Sequence, residues 1–116
     1  MHVSLESPLP AELAVGKGTA LFVAGTCFSP GESLESLVLL VDGEEQPLGA
    51  FGMPRLETMH ANGPDGYASG FWGLARIGPR STPVALGLRA RFESGGQAEV
   101  ELAVIPIRPP VEPVTA

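Results

Sequence analysis

From Val84 to Phe92 every second residue is apolar (Val84, Leu86, Leu88, Ala90, Phe92), with Arg89 and Arg91 between them. After Ser94-Gly95-Gly96 the alternation resumes as Ala98, Val100, Leu102 and Val104, interleaved with Glu99 and Glu101. Side chains of a strand point to opposite faces in turn, so the pattern predicts a hairpin with one dry and one wet face. On the wet face Glu99 and Glu101 are expected opposite Arg89 and Arg91. They form either cross-strand ion pairs or a charged interface with a neighbouring domain.

The rest of the chain reads as further short strands. Residues 1–17 hold Pro8, Pro10 and Gly16, which predicts an edge strand followed by an irregular lead-in. Thr19 to Phe28 is apolar on both parities, as in a central strand covered on both sides or passing under a loop; Ser29-Pro30-Gly31 ends it. Leu34 to Asp42 follows, with Leu37, Leu39 and Val41 on one face and Val38 and Leu40 on the other. Asp42-Gly43 then predicts a tight turn, and a short strand within Glu45 to Ala50 pairs back. Phe51 to Ala68 has no period and three breakers, so it reads as a long loop of the kind that binds something or covers a core edge. Ser69 to Ile77 is the next strand, with Phe71, Gly73, Ala75 and Ile77 on its core face. Gly78-Pro79 turns the chain into the hairpin described first.

About seven strands at this spacing predict an all-β antiparallel sandwich over residues 18–105, with residues 1–17 as edge strand and lead-in. Residues 106–116 form a Pro-rich tail or linker. A chain of 116 residues, 44% of them hydrophobic, suits one folded domain, and its 15 Gly and 12 Pro suit many tight turns. The net charge of −6 and the scattered arginines argue against nucleic acid and anionic membranes. No stretch reaches the length of a membrane helix, and Met1 to Glu6 lacks the features of a signal peptide. The single cysteine, Cys27, sits in an apolar run and reads as a buried hydrophobe. The absence of disulfides points to the cytoplasm. The arginine bias suits a GC-rich genome.

A set of short motifs carries a resemblance. They are Phe22-Val23-Ala24-Gly25, a following Pro-Gly, the strand end Val38-Leu39-Leu40-Val41-Asp42-Gly43, Met53-Pro54-Arg55, and Gly66-Tyr67-Ala68-Ser69-Gly70-Phe71-Trp72. Over residues 18–105 the chain resembles the immunoglobulin-like accessory domains found beside glycosyltransferase and methyltransferase domains in bacterial polysaccharide-modifying proteins. The loop departs from the family by lacking its Arg-Pro-Asp-Val run. The resemblance implies a module without catalytic residues, whose partner is a neighbouring catalytic domain or another protein.

The candidate chemistry is sparse. His2 and His60 are the only histidines, and neither has Cys or His neighbours at metal-ligand spacing, so no metal or cofactor is expected. Asn62-Gly63-Pro64-Asp65-Gly66 is short of carboxylates for calcium, and turn formation accounts for it. Ser69, His60 and Asp65 could be assembled on paper, but no nucleophile-elbow pattern surrounds the serine, and no enzyme is expected. What stands out is Tyr67, Phe71 and Trp72 at the end of the long loop. Phe71 belongs to the core face; Trp72 either packs as core or under the loop, or meets a ligand or partner. The candidate contact residues are Arg55, His60, Asp65, Tyr67 and Trp72. The alternative function is carbohydrate binding on an aromatic surface near Tyr67 and Trp72. Pairing of an exposed edge strand into a homo-oligomer is a weaker third reading, with Pro8 and Pro10 opposing it at the N-terminal edge.

Overall fold

A computed structural model describes residues 1–109 of the chain. These residues form eight strands in two antiparallel four-stranded sheets. The strands are β1 (His2–Leu5), β2 (Thr19–Phe28), β3 (Leu34–Val41), β4 (Glu44–Pro47), β5 (Ala50–Pro54), β6 (Ala68–Ile77), β7 (Val84–Phe92) and β8 (Gln97–Ile105). One sheet has the order β1-β2-β6-β5 and the other β4-β3-β7-β8. The fold is an all-β sandwich.

The inner faces are those the alternation predicts. On β7, Val84, Leu86, Leu88, Ala90 and Phe92 are all buried; on β3, Leu37, Leu39 and Val41 are. From the other sheet come Val23 and Cys27 of β2 and Phe71, Ala75 and Ile77 of β6. Burial of this apolar area is the main stabilising term of the domain. The Asp42-Gly43 turn takes φ values of 53° and 83°, the doubly positive geometry that twists with a hairpin.

Four expectations are corrected. The first concerns β8, where one extra residue separates the pair Gly87–Glu101 from the pair Leu86–Ala103. This bulge at Leu102 reverses the parity, so Ala103 and Ile105 turn inward and Val104 is 55% exposed.

Secondly, residues 51–68 are not a long loop. They contain β5, a short helix α1 (Leu56–Asn62) and a 3₁₀ turn at Pro64–Gly66. Helix α1 buries no residue fully and its N-cap, Arg55, makes no side-chain cap, so it leaves no apolar stripe to read. Gly63, at φ 83°, closes it by donating its N–H to the Met59 carbonyl at 2.7 Å.

Thirdly, the strand expected within Glu45 to Ala50 is divided. β4 pairs with β3 in one sheet, while Ala50 already pairs with Trp72 in the other. The chain changes sheets at Leu48 and Gly49. Fourthly, β2 is not covered on both sides along its length. Phe28 is buried, but Phe22 is open.

The lead-in and the start of the Pro-rich segment meet. Leu13 bridges Ile107 in parallel, and Glu12 pairs with Arg108 at 2.6 Å. Residues 110–116 of the tail lie outside the described residues.

Candidate functional site

The even-numbered residues of β2 and β6 build the outer face of the first sheet, and its two ends differ. At one end Glu57, Thr58, Ala61 and Asn62 of α1 line a groove of about 410 Å³ with His2, Ser4, Thr26 and Phe28. There the rings of His2 and Phe28 stack at 5.1 Å. The Arg55 side chain lies over Gly70, where a Cβ would come within 3.1 Å of its Nε.

The other end is open. Phe22 lies directly opposite Leu74 in the β2–β6 ladder, and the Phe22 and Trp72 rings stack with centroids 6.2 Å apart and planes 27° apart. Phe22, Leu74 and Trp72 remain 59%, 47% and 39% exposed. Three large apolar side chains in one contiguous strip are more than the scattered surface hydrophobes of an ordinary domain. The strip follows from sequence parity: Trp72 and Leu74 alternate with the buried Phe71, Gly73 and Ala75.

The seat of Trp72 is backbone. Gly49, at the sheet change, donates its N–H to the Trp72 carbonyl at 2.9 Å, and a Cβ there would overlap the far edge of the indole. Gly73 likewise leaves room for Leu48 and Leu39 beneath the strand. Trp72 is therefore an outer-face residue seated on glycine and stacked on Phe22. It is not a member of the core.

The other candidates separate. Asp65 and Tyr67 share a cleft of about 230 Å³ at one end of the sandwich, with Phe51, Glu32 and Leu34. The Asp65 carboxylate accepts the Gly31 N–H there at 3.0 Å, joining the 3₁₀ turn to the β2–β3 loop. Tyr67 does not line the groove of Trp72, so the expected joint aromatic surface is not formed. Arg55 pairs with Glu6 at 2.7 Å and donates its backbone N–H to the Tyr67 carbonyl. His60 is an exposed residue of the last turn of α1. Ser69 is buried, and its hydroxyl donates to the Gly66 carbonyl at 2.6 Å. Among the described residues no group of three or more His, Cys, Asp or Glu side chains is placed to hold a metal ion.

Parity already sets Leu74 and Arg76 on the face of Trp72; sequence reasoning missed Phe22 and Gly49 beside it, and Phe51 and Glu32 beside Tyr67. The signal for Phe22 was present, since it shares parity with Ala20 and Ala24 opposite the buried Val23; its partnership with a residue of β6 was not.

The outer face of the second sheet is charged. Arg89 pairs with Glu45 and Glu99, each at 2.6 Å, and Arg91 pairs with Glu45 at 2.8 Å. The hydrogen bond from Arg89 holds the Glu45 carboxyl below its ordinary range. Arg89 thus faces Glu99 as the alternation predicts, while Arg91 turns to Glu45 of β4, which the hairpin pattern alone does not contain. The two outer faces differ in kind: one is an ion-pair lattice, the other an aromatic strip.

Against protein-family models, curated proteins and solved structures, the chain has no match. Among the described residues no helix is long and apolar enough to cross a membrane.

Proposed function

We propose that this chain is a non-catalytic interaction module of immunoglobulin-like type, serving a bacterial carbohydrate-processing enzyme such as a glycosyltransferase in the cytoplasm. The strand order supports the type. Taken in chain order as A, B, C, C′, D, E, F and G, the sheets read ABED and C′CFG, the arrangement of immunoglobulin sandwiches. The observation that carries the role is the open strip of Phe22, Trp72 and Leu74 on the outer face of the first sheet. Its occupant in this reading is the catalytic domain of that enzyme. Arg76, which has no carboxylate partner among the described residues, borders the strip and matches an acidic group on that domain.

A photo-crosslinking residue placed at Leu74 tests this in host cells. Crosslinks to a carbohydrate-processing enzyme, or to such a domain in the same gene product, are expected. Crosslinks obtained only from Glu99, on the ion-paired face, overturn the assignment. A second reading, carbohydrate binding, is favoured by the exposed indole of Trp72 alone; Tyr67 belongs to a different cleft.

A further inference from the structure

The arginines of this chain are almost all spoken for. Arg55 pairs with Glu6, Arg80 with Asp42, Arg89 with Glu45 and Glu99, Arg91 with Glu45, and Arg108 with Glu12. Among the described residues, Arg76 alone of the arginines has no carboxylate partner. Its backbone, by contrast, is held firmly. The Gln46 amide reaches from β4 across the corner between the sheets, accepting the Arg76 N–H through Oε1 and donating to its carbonyl through Nε2, both at 2.8 Å. The residue is fixed while its guanidinium is left unpaired.

Arg76 lines a groove of about 450 Å³ together with Trp72, Leu74, Pro47, Leu48 and Gly49. That volume lies within the range of roughly 300–1,000 Å³ for small-ligand sites. Trp72, Leu74 and Arg76 alternate on one face of β6, so Trp72 and Arg76 are about 13 Å apart along the strand at roughly 3.3 Å per residue. The groove thus offers a flat indole at one end, an aliphatic side chain in the middle and an unpaired cation at the other end.

We infer that this groove binds a short oligosaccharide of carboxylated pyranoses, with Trp72 stacking one ring and Arg76 taking the carboxylate of a ring further along the chain. The C–H face of a pyranose is apolar and fits an indole, and a guanidinium receives a carboxylate through two parallel hydrogen bonds. An uncharged sugar would leave Arg76 without a partner, and a purely aliphatic acid would leave the indole face uncovered. Neither satisfies both ends. The inference extends the carbohydrate reading to a substrate class, and it uses the same face as the interaction reading without depending on it.

Trp72 is the sole tryptophan, so its fluorescence reports the groove directly. Trigalacturonate and trimannuronate are titrated into the domain, alongside their methyl-esterified forms. A saturable fluorescence change with at least one free acid is expected, weakened about tenfold or more by esterification and by Arg76→Gln, the loss of a charged hydrogen-bond pair. Trp72→Ala, followed by calorimetry, abolishes binding. Arg76→Gln keeps the backbone bonds to Gln46, so an unchanged melting temperature separates lost binding from lost folding. No saturable change with either acid up to millimolar concentration overturns the inference, as does equal affinity for the esters or an Arg76→Gln variant that binds as the parent does. Either failure leaves the Leu74 crosslinking result untouched, so the two readings fall separately.

Discussion

The Asp42 carboxylate accepts the backbone N–H of Ala85 at 3.0 Å, tying a hairpin turn to the first residues of a strand 43 positions later. Its second oxygen pairs with Arg80, whose guanidinium also donates to the Thr82 and Pro83 carbonyls at 2.9 and 2.8 Å. One side chain in the left-handed region thus fixes both the β3–β4 turn and the β6–β7 connection.

Replacement of Asp42 separates these contributions. Asn tolerates positive φ and can still accept from Ala85, so Asp42→Asn loses only the exposed ion pair, about 0.2–1 kcal/mol. Asp42→Ala loses the hydrogen bonds as well and strains the turn, which raises the loss to about 1–3 kcal/mol. Hydrogen bonds from Arg80 and then from Ala85 hold this carboxyl below its ordinary range. Its stabilising contribution is therefore complete above the ordinary carboxylate range and is lost as pH falls through the lower folded value. Urea midpoints at neutral and acid pH check both points: parent and Asp42→Asn should converge in acid. A gap that persists there would show that the ion pair is not its source.

Gly49→Ala tests the seat of Trp72. The new methyl overlaps the indole, and the ring must swing off its seat into solvent. The expected result is tryptophan emission shifted to longer wavelength and a stability loss of about 1–3 kcal/mol, as for overpacking elsewhere. Unchanged emission would mean that the ring does not rest on this backbone.

Cys27 is fully buried, and burial pushes its thiol up to about 11. In the folded state it should resist a thiol-labelling disulfide reagent at neutral pH and react fully in guanidinium chloride. Because the folded thiol holds its proton above the pH at which the unfolded one releases it, stability falls as pH rises from about 9 towards 11. Rapid labelling of the native protein would contradict the burial.

What the sequence revealed and what it hid follow one division. Alternation is local, so it shows Phe71 inward, the Asp42-Gly43 turn and the inner face of β7, but it leaves Trp72 open between packing under the loop and contact with a partner. Features set by distant partners could not. The sheet change at Leu48 and Gly49 depends on which strand accepts Ala50, and the burial of Phe28 on the same strand as an open Phe22 depends on His2 of β1, whose ring stacks on it. The same holds at the site: Trp72 was legible as a candidate, but Gln46, which positions Arg76, lies 30 residues before it.

The bulge in β8 gives the sharpest contrast between pattern and structure. Strict alternation places Val104 with Val100 and Leu102 on the dry face, whereas the extra residue at Leu102 leaves Val104 55% exposed and Ile105 1% exposed. Gly87 sits opposite, where a Cβ would come within 2.7 Å of the Val100 carbonyl oxygen, so the ladder closes tightly just before the irregularity. Val104→Asp is then a surface change, expected within about 0.5 kcal/mol of the parent. Ile105→Ala empties a core position and should cost about 2–5 kcal/mol. Guanidinium midpoints for the two variants decide the matter, because an unbulged strand reverses their order. Loss of folding in Val104→Asp with little effect of Ile105→Ala would restore the simple alternation and remove the bulge.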